Sequence, residues 1–212
     1  LIKNKKISNA LFILHTLFFL SGVAALIYQL MWQRLLFGVL GVDLESITII
    51  VSVFMFGLGI GGLCGGYLAD RYVSKLPSLY ILLELLIAIF GFLSPIVIDC
   101  IGSFHYFNTR FFTLFCSFLV FSIPTTLMGA TFPVLVTYVN IFVHNIGDAV
   151  GGLYFSNTLG AAVGALLSGF ILLLFVDLNE SVYIAAMINF SITVIAAVYF
   201  LSPHKDRIKE KN

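Results

Sequence analysis

Apolar residues in this chain come in long, nearly unbroken runs, without the period of an amphipathic helix or of a half-buried strand. The runs cover about residues 10–35, 46–69, 77–98, 111–139, 151–176 and 181–201. Each is long enough for a helix to cross a bilayer's hydrocarbon, which takes about 20 residues, and a helix is a form in which a chain satisfies its backbone where no water reaches. Short polar breaks at 41–45, 70–75, 105–110, 140–148 and 177–180 separate the runs. The pattern predicts an all-α integral membrane protein with a six-helix domain over residues 1–203 and a charged cytoplasmic tail at 204–212. Lys3, Lys5 and Lys6 before the first run imitate a signal peptide, with Gly22 to Ala25 as its small-residue end. That run exceeds the roughly 7–15 apolar residues of such a segment, so it is read as the first membrane helix.

Composition strengthens this reading. Only 10% of the 212 residues are charged and 60% are apolar, with 22 Phe, against about 25% charged in a soluble domain. A water-soluble globule is excluded, and lipid is the main partner. A net charge of +1 lacks the concentrated basic face that nucleic acid requires. Cys64, Cys100 and Cys116 lie in or beside apolar runs and are expected to be small buried fillers, with neither a disulfide nor a metal site. Lys3, Lys5, Lys6, Arg71, Lys75, Lys205, Arg207, Lys209 and Lys211 fall on one side of the predicted bundle, and only Arg34 and Arg110 on the other. The excess of basic residues marks the cytoplasmic side, which puts both termini inside, as in a bacterial inner-membrane protein.

Glycine is concentrated in the second and fifth runs. Gly57, Gly61 and Gly65 recur every four residues, as do Gly62 and Gly66, and Gly160 and Gly164 repeat the device beside Ala161 and Ala165. Such stripes let backbones approach closely. They serve either tight packing inside the bundle or a surface on which two halves rock.

Polar residues at membrane depth are costly and therefore mark sites. Tyr28, Gln29, Trp32, Gln33 and Arg34 fall near the outer end of the first helix; they either line a solute cavity, with ring faces for a cation, or form an interfacial belt. Glu84 lies about six residues, or roughly 9 Å, into the third helix, so its carboxyl must be paired, protonated or water-facing. Tyr80, one turn earlier, is placed to share its proton. The carboxyl either couples protons to transport, neutralises a cationic solute, or bonds a neighbouring helix. Asn157, with Tyr154 and Thr158, forms a polar turn that is interhelical glue or a ligand contact. Pro124 and Pro133 free carbonyls in the fourth helix, and Thr125, Thr126 and Thr131 are placed to satisfy them. His15 and Asp99 are read as packing and solvated residues. No catalytic apparatus or metal-ligand spacing emerges. Gly57-x-Gly59-x-x-Gly62 matches a dinucleotide fingerprint only formally, because it lies inside a membrane span.

Two glycine-rich helices, each second in a triplet, resemble the three-plus-three inverted repeat inside one half of a major facilitator transporter. Gly66, Leu68, Asp70, Arg71 and Lys75 match that family's loop signature G-x-L-a-D-r-x-G-r-k, with Val73 and Ser74 departing from it. The stretches 21–35, 54–71, 128–133 and 153–161 resemble the membrane domain of fused spermidine synthase-like proteins, although Gln29 stands where that family commonly has Glu. The resemblance implies a half-size transporter for a small solute, with an organic cation suggested, working by alternating access as a homodimer. Gln29, Trp32, Arg34, Glu84, Asn157 and Thr158 would then face the solute, and Asp70 with Arg71 would gate it. Gly57, Gly61, Gly65, Gly160 and Gly164 would pack helices or the dimer; no cofactor is expected, protons are one candidate coupling ion, and the coupling ion itself stays open. The alternative is a non-transporting anchor or regulatory module for a separate spermidine synthase-like partner. The aminopropyl-transfer chemistry belongs to a domain that these residues do not contain, so no enzymatic activity is expected.

Overall fold

The computed structural model describes residues 2–105 and 110–201, with side chains over 8–103 and 111–201. The tail at 204–212 and the side chains of Lys3, Lys5, Lys6 and Arg110 lie outside the described residues. The chain forms α1 (Ile2–Leu40), α2 (Asp43–Arg71), α3 (Leu76–His105), α4 (Arg110–Val143), α5 (Ile146–Phe175) and α6 (Leu178–Phe200). Each of the six includes a stretch long and apolar enough to cross a membrane.

The connections follow from local chemistry. Gly41, at φ +72°, lets the chain reverse after α1, in the left-handed region where an added Cβ would strain the backbone. A 3-10 turn, Val73–Lys75, joins α2 to α3. Asn145 caps α5 by accepting from the Gly147 and Asp148 amides, and Asp148 places negative charge at that helix's positive end. Near its far end α5 carries a π turn, Ser168–Leu172.

Helix pairing reveals the repeat. The most extensive contacts join α2 with α4 and α1 with α5. Exchanging the first triplet for the second turns one pair into the other. The same exchange relates α3–α4 to α6–α1 and α1–α2 to α4–α5, and it maps the close α3–α6 pair onto itself. A three-helix unit crosses the membrane an odd number of times, so its second copy is inverted.

Glycine makes the two principal crossings possible. A Cβ on Gly57 would collide with the Thr125 side chain, one on Gly61 with the Thr126 carbonyl, and one on Gly65 would come 2.6 Å from Ala130 Cα. In the α1–α5 crossing a Cβ on Gly160 would strike the Phe19 carbonyl and one on Gly164 the Val23 carbonyl. Gly129 and Gly22 answer from the opposite helices, against Leu58 and Asn157. The Gly57–Gly61–Gly65 stripe and the Gly160–Gly164 pair therefore pack helices inside the chain. The second stripe on α2 does not, because Gly59, Gly62 and Gly66 have nothing within 4 Å of an added Cβ.

Thr125 Oγ donates toward the Phe121 carbonyl at 2.9 Å and the Val53 carbonyl of α2 at 3.2 Å, and Thr131 Oγ to the Met128 carbonyl at 2.7 Å, so the threonines serve backbone groups near the two α4 prolines. The cysteines depart from expectation: Cys64 and Cys100 are exposed and Cys116 is half-buried. An apolar residue of a membrane helix needs no protein neighbour, because lipid covers it as well as a core would.

Candidate functional site

Glu84 sits at 0% exposure where α1, α3 and α6 converge. Its Oε1 accepts from Ser21 Oγ of α1 at 2.9 Å, and its Oε2 faces the Asn189 side-chain amide of α6 at 2.6 Å. Tyr80, one turn before it on α3, directs its buried hydroxyl at the same carboxyl without closing a hydrogen bond of good geometry. Tyr28 of α1 is near enough to interact with Glu84 electrostatically, and its hydroxyl presses on Gly91, where a Cβ would displace it. The groups acting on the carboxyl are hydroxyls and an amide, with no basic residue among them. Leu20 and Ile188, which precede Ser21 and Asn189, line a groove of about 450 Å³ between α1 and α6.

Two parallel helices hold this arrangement in register. Ser21 meets Glu84, Tyr28 meets Gly91, Trp32 meets Ser94 and Val39 meets Gly102, an offset of 62 or 63 residues throughout. Parallel packing along the full length fixes each polar side chain opposite its partner.

Above the carboxyl, toward the end of α1, lies an aromatic cluster. Trp32 is fully buried, stacked on Tyr28 with ring centroids 4.7 Å apart and edged by Phe54, Phe90 and Phe121. Its indole N–H donates to Ser94 Oγ at 2.8 Å, and Ser94 donates to the Gly91 carbonyl at 2.9 Å. Pro95 explains this chain, since it has no N–H for the carbonyl four residues back. Ser94 supplies the missing donor.

The expected solute-facing residues do not all meet here. Glu84 is at the centre, while Trp32 is sealed in its cluster with no face open to a solute. Gln29 is half-buried and Arg34 is exposed. Ser21 faces α3 but Gly22 faces α5, so Asn157, which lies against Gly22, is held on the opposite side of α1 from the carboxyl. Thr158 is exposed on the outward face of α5, and Asp70 and Arg71 are exposed at the end of α2, where Arg71 donates to Tyr67 Oη at 2.9 Å. His15 Nδ1 lies 2.8 Å from the Leu11 carbonyl, and the ring rests against α5 at Gly152.

Beyond this geometry, a family model described as Major Facilitator Superfamily matches residues 10–212. The chain belongs to the Major Facilitator Superfamily. The polyamine aminopropyltransferase of Oceanobacillus iheyensis is 21% identical over 179 residues, which is 84% of this chain and 34% of that relative. The chain thus spans about a third of the curated relative it matches. No solved structure matches it. Six helices paired as an inverted repeat are what a facilitator half requires, and the link to spermidine synthase-like proteins holds at the level of the membrane region.

Ser21 and Asn189 are the partners that sequence reasoning missed. Asn189 carries the signal that would have found it, being a side-chain amide inside the sixth apolar run, and a buried amide at that depth needs a polar partner on another helix.

Proposed function

We propose that the protein is one half of a small-solute transporter and that two copies, both with cytoplasmic termini in a bacterial inner membrane, form the complete alternating-access machine. The observation that carries this reading is the outward surface of α2 and α5. These two helices are the least covered of the six and are equivalent in the repeat. On α2 the bare Gly59, Gly62 and Gly66 lead to exposed Asp70, and on α5 the bare Gly151 and Gly169 flank exposed Thr158 on one stripe. Lipid needs no such flat faces, whereas a second helix approaching closely does. Two-fold contacts are the commonest way to supply it. Thr158 then lies between the halves, where transporters related by an axis along the membrane normal hold their solute. Asp70 and Arg71 lie at the cytoplasmic mouth, where α5 also begins, and gate the change between conformations.

A small organic cation is the substrate class, in keeping with the polyamine in the relative's name. The test is uptake into proteoliposomes over a panel of di- and polyamines. Saturable uptake that Gly62→Trp abolishes supports the reading; no uptake of any amine by a correctly folded dimer contradicts it. The second reading, a membrane anchor for a spermidine synthase-like partner, draws on the same relative. It predicts co-purification with a soluble aminopropyltransferase and no flux.

A further inference from the structure

We propose that Glu84, Asn189 and Ser21 form an intramembrane proton site in which the Asn189 amide turns over as the proton arrives and leaves. Three observations carry it. First, the carboxyl is fully buried between α1, α3 and α6, with no basic group acting on it among the described residues. A carboxylate at membrane depth without counter-charge is costly, so the carboxyl is either a neutral acid or paired with a bound cation. The titratable groups that face it are Tyr28 from α1 and Tyr80 from α3 itself. From α6 the uncharged Asn189 bonds it, and His15 of α1 is turned to α5.

Second, the separation between Glu84 Oε2 and the Asn189 amide is 2.6 Å. N–H···O bonds run about 2.7–3.2 Å and O–H···O bonds about 2.5–3.0 Å. The two ends of an amide exchange places by a half-turn of the side chain. With Oδ1 facing Glu84 instead, a contact of this length would suit a carboxyl O–H donating to an amide oxygen. Third, Asn189 Oδ1 is buried and without a hydrogen-bond donor in the orientation where Nδ2 meets the carboxylate. A protonated Glu84 is the donor that it lacks.

In the ionised state, Ser21 O–H and Asn189 N–H both donate to the carboxylate. Protonation transfers H⁺ from a hydronium to Oε2, forming one O–H bond and leaving water, and the amide reverses so that its oxygen accepts. Because α1 and α3 belong to one repeat and α6 to the other, the proton changes one of the hydrogen bonds that join the repeats. Use of that change to drive transport rests on the transporter reading; the site itself does not.

Infrared difference spectroscopy on the protein in lipid nanodiscs tests this without any flux measurement. Acidification should raise a protonated-carboxyl C=O band along a single-proton curve, with about a tenfold change in the protonated-to-ionised ratio per pH unit. Glu84→Gln should remove the band. Ser21→Ala and Asn189→Leu should keep it but shift its frequency, and an isotope-labelled Asn amide band absent from Asn189→Leu should move with the same pH dependence. If Glu84→Gln fails to fold, the Ser21→Ala shift still decides. No band sensitive to Ser21 and Asn189 at any pH overturns the proposal, as does a band that sodium abolishes at constant pH, which would make the ligand a metal cation. An intact titration in a protein that moves no solute overturns the transporter reading and leaves the site standing.

Discussion

Trp32 and Ser94 are joined by an indole N–H···Oγ bond of 2.8 Å deep between α1 and α3, and the same hydroxyl repairs the carbonyl that Pro95 leaves open. A tryptophan that looks like a solute-binding ring in the sequence is thus a structural relay.

Trp32→Phe should keep most of the ring packing and lose the N–H donor, at a cost of about 0.5–1.5 kcal/mol. Ser94→Ala should cost at least as much, since it also orphans the Gly91 carbonyl. A double-mutant cycle read by reversible unfolding in bicelles should show coupling between the two; additive losses would mean that the bond is not made.

The two glycine stripes of α2 should respond oppositely. Gly61→Ala forces apart the backbones of α2 and α4 and is expected to destabilise by at least about 1–3 kcal/mol, as overpacking does. Gly62→Ala, with nothing within 4 Å, should leave the fold unchanged or slightly firmer. Equal losses of thermal stability would contradict the assignment of inner and outer faces.

Tyr28 presents a buried hydroxyl without a hydrogen-bond partner. An unmade bond stabilises nothing, so Tyr28→Phe is expected to unfold at the wild-type midpoint or above it. A loss of more than about 1 kcal/mol would show that the hydroxyl holds a partner.

If Glu84 couples protons to solute movement, uptake by wild-type protein should follow an imposed pH gradient and uptake by Glu84→Gln should ignore it. Gln keeps the shape and a donor and acceptor for Asn189 and Ser21 but cannot take up a proton. Unchanged gradient dependence in proteoliposomes would remove the coupling role. Asp70→Asn, at the end of α2, should by contrast slow uptake while leaving solute binding unaltered.

Much of this architecture is legible in the chain because membrane helices are written as composition. Length and apolarity placed the runs, and Gly57, Gly61, Gly65, Gly160 and Gly164 marked one helix of each close backbone crossing. What could not be read is which polar residues meet. Ser21 and Asn189 lie 63 and 105 residues from Glu84, and nothing near any of the three specifies the others. The register of α1 on α3 decides that, and it comes from packing along the whole helix. The cysteines show the converse difficulty, since an apolar run does not say whether protein or lipid will cover a given side chain.

The measurement that tests the central claim most directly is the oligomeric mass of the protein extracted with its native lipid, for wild type and for Gly62→Trp. Two copies meeting through the outer faces of α2 and α5 predict a dimer that Gly62→Trp converts to a folded monomer. A wild-type monomer, or a dimer indifferent to a bulky group at Gly62, would contradict a transporter completed by a second copy on that surface.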